Sequence, residues 1–248
     1  MKILEFQPNL VEQVHAAILS EIAAGRLLPG TRIIQEQLAQ ELGVSRQPVQ
    51  QALMLLRNQG VLRDAPGRGL IVAPMDLDYV RNMYDVRAVI EGLACRKAAE
   101  INAAKAKVDG PALIRDGREA VAAGSVSAMI AADMAFHGFI YALSENPLIA
   151  PAMEAHWTYT QRVMGEVLMR DEKPRDIWDQ HEQILEAIAS GNGKKAEDLV
   201  RSHILLAADF MIARLRHDAA EEAVAATPLA GLPGGRATRR GWSQTPTT

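Results

Sequence analysis

Glu36–Gly69 carries at its centre the run Val44-Ser45-Arg46-Gln47-Pro48-Val49, at which two short amphipathic segments meet. In the segment before this run, apolar residues recur every four positions, which is the spacing of one helix face. Gly43 suits the left-handed backbone that ends a helix, and Ser45 is predicted to cap the helix that follows. The apolar residues of the first segment are Ile34, Leu38 and Leu42.

The second segment is predicted to be a helix with one buried and one exposed face. Pro48 is compatible with its first turn, where the backbone N–H groups need no intrahelical partner. The buried stripe comprises Val49, Ala52, Leu53 and Leu56. The outward positions are Arg46, Gln47, Gln50, Met54 and Arg57. Two helices joined by a tight glycine turn, with polar residues leading the second, are typical of a helix-turn-helix.

A short hairpin is predicted directly after this second helix. Val61-Leu62-Arg63 and Leu70-Ile71-Val72 are strand-like runs that flank Asp64-Ala65-Pro66-Gly67-Arg68-Gly69, and Pro and Gly make the connection a turn. Thr31-Arg32-Ile33 is predicted to add a third short strand. Corners of the helix–Gly–helix type occur in many all-α proteins, so the hairpin is the feature that favours a winged helix. Arg68 at its tip is placed to reach a phosphate or the minor groove.

These residues also resemble a known family, the GntR bacterial transcription regulators, over about residues 8–73. The matching runs include Pro29-Gly30-Thr31, Leu42-Gly43-Val44-Ser45-Arg46, Gly60-Val61-Leu62 and Pro66-Gly67-Arg68-Gly69. The predicted DNA-binding residues are Arg32, Ser45, Arg46, Gln47, Gln50, Arg68 and Gly69. The chain departs from the family at Gln50-Gln51, where Arg-Glu is common. At a base edge, Gln50 would favour adenine where arginine would favour guanine.

The composition indicates a helical protein with a sizeable core. The chain has 248 residues, of which 48% are hydrophobic and only 4% aromatic. Its single cysteine, Cys95, excludes a disulfide framework and a four-cysteine zinc site. No apolar run approaches the roughly 20 residues of a membrane span, and no secretory leader is recognised before Leu10. We therefore expect a cytoplasmic protein with no membrane partner.

Charge alone does not identify this chain as a DNA-binding protein, because its formal net charge is −3. Residues 1–74 carry seven basic and six acidic side chains, so this part is close to neutral. A single copy is expected to bind DNA weakly, whereas two copies on an inverted repeat would bind more tightly. We therefore expect a homodimer on a double-stranded DNA operator.

After Val72-Ala73-Pro74 the strand-like segments disappear, and the sequence predicts an antiparallel helical bundle. The predicted helices are about 76–102, Pro111–Ala123, Ser125–Ser144, Pro147–Arg170, Arg175–Ser190 and Lys194–Arg216. The apolar contacts of the first are assigned to Val80, Tyr84, Val86, Val89, Ile90 and Leu93. The predicted fold is mainly α. It comprises a winged helix-turn-helix with a small β wing over 1–74, an all-helical domain over 75–220 and a disordered tail over 221–248.

Polar residues interrupt the apolar stripes of three predicted bundle helices. Asp133 and His137 lie four residues apart and share a face, while His181 and His203 lie on the stripes of two later helices. Burying carboxylates and imidazoles without partners is costly. A divalent metal would satisfy all four, but so would local hydrogen bonds with Asp133 paired to His137. The apolar residues that share the His203 stripe are Leu199, Leu206 and Phe210.

The run Asp133-Met134-Ala135-Phe136-His137, followed by His181 and His203, resembles the sensor domain of the FadR subfamily of GntR regulators. The likeness spans about residues 76–217, and the six helices resemble the subgroup with the shorter sensor domain. It implies that Asp133, His137, His181 and His203 bind a divalent metal. The chemistry of three imidazoles and one carboxylate favours zinc, or else nickel, manganese or iron. The likeness also implies a small carboxylate effector beside the metal.

Two arginines are the predicted effector-binding residues. Arg87 fits the first helix of that sensor domain, and Arg162 lies on a helix that could border the same cavity. A guanidinium offers a bidentate grip on a carboxylate, although each arginine could equally be a surface charge.

The sequence thus predicts a dimeric winged-helix transcription regulator, expected to be a repressor and not an enzyme. A metal-dependent hydrolase is the main alternative, because an open three-histidine site can activate water. His181-Glu182 begins like the zincin motif, but Leu185 stands where that motif needs a second histidine. A further alternative is a regulator for which the metal is itself the signal.

Overall fold

Residues 10–169 and 177–225, the part that the computed structural model describes, form helices and one small sheet. The helices are α1 Leu10–Ala23, α2 Gln35–Glu41, α3 Arg46–Asn58, α4 Leu77–Ala123, α5 Val126–Leu143, α6 Ile149–Leu168, α7 Ile177–Ala189 and α8 Gly193–Ala225. The strands are β1 Arg32–Ile33, β2 Leu62–Asp64 and β3 Leu70–Val72. The prediction of a mainly α chain, with a winged helix followed by a helical bundle, is confirmed.

The first part folds as a helix-turn-helix with a three-stranded wing. The sheet has the antiparallel order β1-β3-β2, with Arg32 opposite Ile71. The predicted third strand is therefore present. Gly43 ends the turn after α2 with a φ of 64°, the left-handed conformation that the sequence predicted. Helix α3 buries its predicted stripe of Val49, Ala52, Leu53 and Leu56.

Two details of the helix-turn-helix differ from the prediction. Ser45 occupies the N-cap position of α3, but its side chain makes no capping hydrogen bond. It stays exposed, where water can satisfy the first-turn N–H groups. The predicted stripe of α2 is largely exposed as well, because Ile34 and Leu42 retain 46% and 37% of their surface. Helix α2 is only seven residues long, and its one fully buried residue is Ala39.

The second part begins with a helix much longer than predicted. Asp76 caps α4 by accepting hydrogen bonds from the backbone N–H groups of Asp78 and Tyr79. The predicted end of the first helix coincides with a kink, because two helical segments meet at the non-helical residue Asn102. The predicted gap before Pro111 is wrong, since the second segment follows Asn102 directly. The Asn102 side chain donates a 2.8 Å hydrogen bond to the Leu143 carbonyl, which fixes the kink against α5.

Several apolar residues assigned to the bundle core are instead at the surface. Leu206 and Phe210 of α8 are 57% and 40% exposed, and Val86 and Val89 of α4 are 45% and 58% exposed. The buried stripe of α8 contains Val200, Ile204 and Ala208 in addition to His203. Helix α8 also continues to Ala225, past its predicted end and past the predicted domain boundary at residue 220. The rest of the predicted tail lies outside the described residues, as does the N-terminal arm.

Helix α5 is the one described helix that is long and apolar enough to cross a membrane by length and composition, with a mean hydropathy of 1.5. It nevertheless carries Asp133 and His137, and it packs between α4 and α6. The core of a helical bundle accounts for its apolar character.

The two parts of the chain meet where α1 packs on α6. Beside this contact, α1, α5 and α6 line an open pocket of about 1100 Å³. Its walls are mostly apolar and include Leu19, Ala23, Ile130, Met134, Trp157 and Gln161.

Candidate metal centre and DNA-contacting surface

Three helices bring one histidine each to a common point in the bundle. His137 lies on α5, His181 on α7 and His203 on α8, and all three are buried. One ligand atom of each lies within 4.8 Å of the other two. The Nε2 atoms of His181 and His203 are 3.2 Å apart. We refer to His137, His181 and His203 as the histidine cluster.

Asp133 lies at the edge of the histidine cluster. Its Oδ1 atom is 3.6 Å from Nε2 of His181 and 3.9 Å from Nε2 of His137. Burial raises the pKa of Asp133, although the nearby His137 and Arg87 act in the opposite direction. A carboxylate with one oxygen this near two imidazoles is placed to complete a four-residue ligand set.

Two of the imidazole rings are held by a contact at Nδ1. Nδ1 of His137 lies 2.5 Å from Oε2 of Glu91, and Nδ1 of His203 lies 2.9 Å from Oε1 of Gln180. The Gln180 amide oxygen accepts from Nδ1–H of His203, which leaves the Nε2 lone pair of that ring facing the cluster, while the Glu91 carboxylate lies close enough to His137 to hold its ring in place. This is the arrangement in which carboxylates and amides orient metal-binding histidines.

The charges of the histidine cluster differ from ring to ring. Burial lowers the pKa of His203 to about 3 and that of His181 well below its usual range, and the positive charge of His137 adds to both effects. Burial also disfavours the charged form of His137, but the Glu91 and Asp133 carboxylates outweigh it and raise its pKa. His181 and His203 are therefore neutral near pH 7, which is the form that binds metal.

The residues present fit a divalent cation. Once His137 releases its proton to the solvent, the set offers three imidazole nitrogens and one carboxylate oxygen, a mixture that suits zinc and other first-row divalent metals. In addition, the Nε2 atoms of the neutral His181 and His203 rings lie close together. This approach is favourable only if a proton or a cation lies between the two nitrogens. His137, His181, His203 and Asp133 would hold the ion.

Arg87, one of the two predicted effector-binding residues, lies directly beside the histidine cluster. Its Nε donates a 2.9 Å hydrogen bond to Glu91, and its Nη1 donates to Oγ1 of Thr160 at 3.3 Å. Its guanidinium carbon lies 4.7 Å from the ring centroid of Trp157. Both Arg87 and Glu91 are almost fully buried, so they form an internal ion pair.

Arg162, the other predicted effector-binding residue, contacts a different region. Its Nη2 donates to the carbonyl of Ala73, at the end of the winged helix. Its guanidinium carbon lies 5.8 Å from the ring centroid of Tyr159. These contacts place Arg162 at the junction between the two parts of the chain.

From the sequence, Trp157 was interpreted as a core residue and Glu91 only as part of the match around Arg87, so neither was predicted to lie at the site. Glu91 links Arg87 to His137, and Trp157 packs against Arg87 and lies 5.5 Å from the His137 ring. The signal for Glu91 was its position four residues after Arg87, on the inner face of the same helix. Trp157 carries no comparable signal, because a tryptophan on a bundle helix is normally a core residue.

The predicted DNA-contacting residues lie on one exposed helix and the wing. Arg46, Gln47 and Gln50 of α3 are exposed, as the sequence predicted. Arg46 forms an ion pair with Glu36, which a DNA phosphate would replace. At the wing, Nη1 of Arg32 donates to the carbonyl of Arg68 and so fixes the turn.

Lowering the pH is expected to destabilise the metal-free protein from about pH 6.5 downwards. His181 and His203 stay neutral in the folded state, while the unfolded chain takes up protons near the ordinary histidine pKa. Each of them therefore adds a slope of up to about 1.4 kcal/mol per pH unit to the free energy of unfolding. His137 adds none well below pH 6.5, where its raised pKa in the folded state and the ordinary histidine pKa of the unfolded chain keep it protonated in both states.

Urea denaturation of chelator-treated protein across this range measures that slope. His203→Gln should remove roughly half of it, because one of the two neutral histidines is gone. An unchanged slope in this variant would contradict the assignment.

Comparison with protein-family models accounts for both parts of the chain. Residues 10–72 match the bacterial regulatory proteins of the gntR family, and residues 82–206 match the FCD domain. A transcriptional regulator from the TAR-I ttuE-ttuC' intergenic region of Agrobacterium vitis is 31% identical over 131 residues, which span 51% of this chain and 76% of that protein. A probable D-xylose utilization operon transcriptional repressor of Paenarthrobacter nicotinovorans is 26% identical over 79% of this chain and 86% of its own length.

Solved structures show the same fold. E. coli McbR/YncC superposes with a TM-score of 0.72 and 21% identity over 86% of this chain and 100% of that one. A putative GntR regulator from Rhodococcus sp. RHA1 gives a TM-score of 0.67 and 20% identity over 82% and 97%. The matching family models and the curated relatives are those of transcription regulators and not of enzymes, so the hydrolase alternative is wrong. The chain belongs to the gntR family of bacterial regulatory proteins and carries an FCD domain after its helix-turn-helix domain.

Proposed function

We propose that the protein is a dimeric, cytoplasmic repressor whose helical domain holds a divalent metal and responds to a small carboxylate. The proposal rests on one observation. The same chain has an exposed recognition helix and, in its helical domain, three buried histidines that lie close together. We assign DNA binding to residues 1–74 and sensing to residues 75–220. Repression agrees with the description of the Paenarthrobacter relative as a repressor.

The metal would be held by His137, His181, His203 and Asp133, with zinc as the first candidate. When bound, it supplies a positive centre that attracts an anionic effector. Arg87 is the residue proposed to meet the second carboxylate oxygen, since it lies beside the cluster and is held by Glu91 and Thr160. We infer that Arg162 affects the effector response only indirectly, from the junction between the two parts of the chain. Its contacts there are with Ala73 and Tyr159.

Separate titrations of operator binding with chelator, with zinc and with small carboxylates test this proposal. Effector sensing predicts that carboxylates change operator affinity only when the metal is bound. If zinc alone produced the full change and carboxylates produced none, the protein would instead be a sensor of the metal.

Replacing Gln50 with arginine is expected to change the preferred base at one position of each operator half-site. Gln50 is exposed on α3, where a bidentate contact with adenine would become one with guanine. The expected change in preference is about 1–3 kcal/mol. Selection from random DNA measures it. Gln51→Arg is the matched control, because it adds the same charge one residue along. Identical selected sequences for Gln50→Arg and the wild type would exclude Gln50 from base recognition.

Replacing Leu206 with aspartate is expected to convert a dimer into a monomer. Leu206 and Phe210 on α8, with Val86 and Val89 on the neighbouring α4, form exposed apolar faces that a second copy would cover. A buried aspartate in such an interface would have no partner. Analytical ultracentrifugation measures the mass. Val108→Asp, at an exposed valine elsewhere on α4, is the control and should leave the mass unchanged.

A further inference from the structure

Helix α6 contacts both the surroundings of the histidine cluster and the DNA-binding part of the chain. It packs against α4 and α5 within the bundle, and it packs against α1 of the winged helix. Neighbouring turns of this single helix therefore serve two different neighbours.

Two residues of α6 contact the surroundings of the cluster. Oγ1 of Thr160 accepts a hydrogen bond from Arg87, and the Trp157 ring packs against both Arg87 and His137. Arg87 is bound in turn to Glu91, which lies against His137. A continuous series of buried polar contacts thus runs from His137 to α6.

Three other residues of α6 contact the winged helix and the segment that follows it. The hydroxyl of Tyr159 accepts a 3.2 Å hydrogen bond from the backbone N–H of Asp76. Arg162 donates to the carbonyl of Ala73. Gly165 touches the backbone of Ala23 so closely that an added Cβ would lie 2.8 Å from the Ala23 Cα and carbonyl oxygen.

Arg162 differs from Tyr159 and Gly165 because its guanidinium is buried with too few hydrogen-bond partners. Its side chain is 1% exposed, yet its Nε and Nη1 have no hydrogen-bond partner in the described part of the chain. Desolvating a guanidinium without matching its donors opposes the docked arrangement of the two parts. Separation would return those donors to water, so the contact between α6 and the winged helix is weaker than its packing alone would make it.

We propose that α6 couples the histidine cluster to the DNA-binding domain. Tyr159, Arg162 and Gly165 position the winged helix, and Arg162 keeps that contact reversible. The inference rests on the proposed metal site. An ion that fixes His137 also fixes Glu91 and Arg87, and through Thr160 and Trp157 it holds α6 in the docked position. The metal can shift the balance only by its difference in affinity for the two arrangements.

Amide hydrogen exchange of the full-length protein, with and without zinc, tests this coupling. In the wild type, zinc should slow exchange in α5, α7 and α8, and also in α1, by about fivefold or more at each place. In Gly165→Ala, zinc should still bind and protect α5, α7 and α8, but the protection of α1 should be lost. Gly138→Ala is the matched control, since an added Cβ on this α5 glycine meets nothing within 4 Å.

A second variant tests the role of Arg162, because it should strengthen the contact between α6 and α1 that Gly165→Ala weakens. Arg162→Met removes the two unmatched donors together with the hydrogen bond to Ala73, and it keeps an apolar chain of similar length. The relief of desolvation should outweigh the one lost bond, so α1 should exchange about fivefold more slowly than in the wild type even without zinc. Operator affinity should then respond less to zinc. Equal or faster exchange of α1 in this variant would show that Arg162 does not weaken the contact.

The outcomes separate this inference from the function on which it rests. Failure of zinc to bind the wild type would overturn both. Zinc binding that protects α5, α7 and α8 of the wild type but leaves α1 unchanged would overturn the coupling alone. Retention of zinc-dependent α1 protection in Gly165→Ala would overturn it as well.

Discussion

Replacing His203 with alanine is expected to abolish tight zinc binding and the stability that zinc confers. His203 supplies one of three converging imidazoles and is itself held by Gln180. Its loss should weaken zinc affinity by more than the 10–100-fold that is typical of changes behind a metal ligand. At a zinc concentration of 100 times Kd, the wild type should gain about 2.7 kcal/mol, and the variant should gain almost nothing.

Calorimetric titration with zinc and thermal unfolding with and without zinc measure the two effects. His156→Ala is a suitable control, because this half-buried histidine on α6 lies outside the cluster and the variant should bind zinc as the wild type does. A His203→Ala protein that purifies fully loaded with metal would contradict the assignment.

Replacing Glu91 with alanine should destabilise the protein by about 3–5 kcal/mol, because it leaves the buried Arg87 without its counter-ion. Glu91 is 1% exposed and contacts both Arg87 and His137. The same change frees the His137 ring to reorient, so zinc affinity should also fall by about 10–100-fold. Urea denaturation and zinc titration measure these losses.

A double variant without either charge distinguishes the ion pair from simple loss of packing. Arg87→Met combined with Glu91→Leu removes both charges and keeps most of the buried volume, so it should recover much of the stability lost in Glu91→Ala. The exposed pair of Arg81 and Asp209 provides the contrast, and Asp209→Asn should cost at most about 1 kcal/mol. If Glu91→Ala lowered the free energy of unfolding by less than about 1 kcal/mol, the buried ion pair of Arg87 and Glu91 would not be important for stability.

The sequence was sufficient to predict the winged helix, because turn, hairpin and apolar stripes all agree locally. Its prediction that Asp133 and His137 share a face followed from their spacing of four. That His181 and His203 would approach them was predictable only from the expectation that interior faces of antiparallel helices meet. The structure brings the three histidines together, while their role as metal ligands stays a prediction.

Other features depended on information that local patterns do not contain. Periodicity places Leu206 and Phe210 on one face, but it cannot say whether that face meets the same chain or a second copy. Pro111 was interpreted as the start of a helix, yet the helix tolerates it and bends instead at Asn102. The location of Arg162 at the domain junction depends on how α6 is oriented, which no single-helix pattern specifies.

The close approach of Gly165 to Ala23 limits how freely the two domains can be recombined. A chimeric regulator joins the DNA-binding domain of one protein to the ligand-binding domain of another. In this scaffold the sensor domain must keep glycine at position 165, since an added Cβ there would lie 2.8 Å from the Cα and carbonyl oxygen of residue 23. The donor DNA-binding domain must place its backbone carbonyl at position 73 where it can accept from Arg162. Chimeras chosen by these two criteria should retain ligand control more often than chimeras chosen by sequence identity alone.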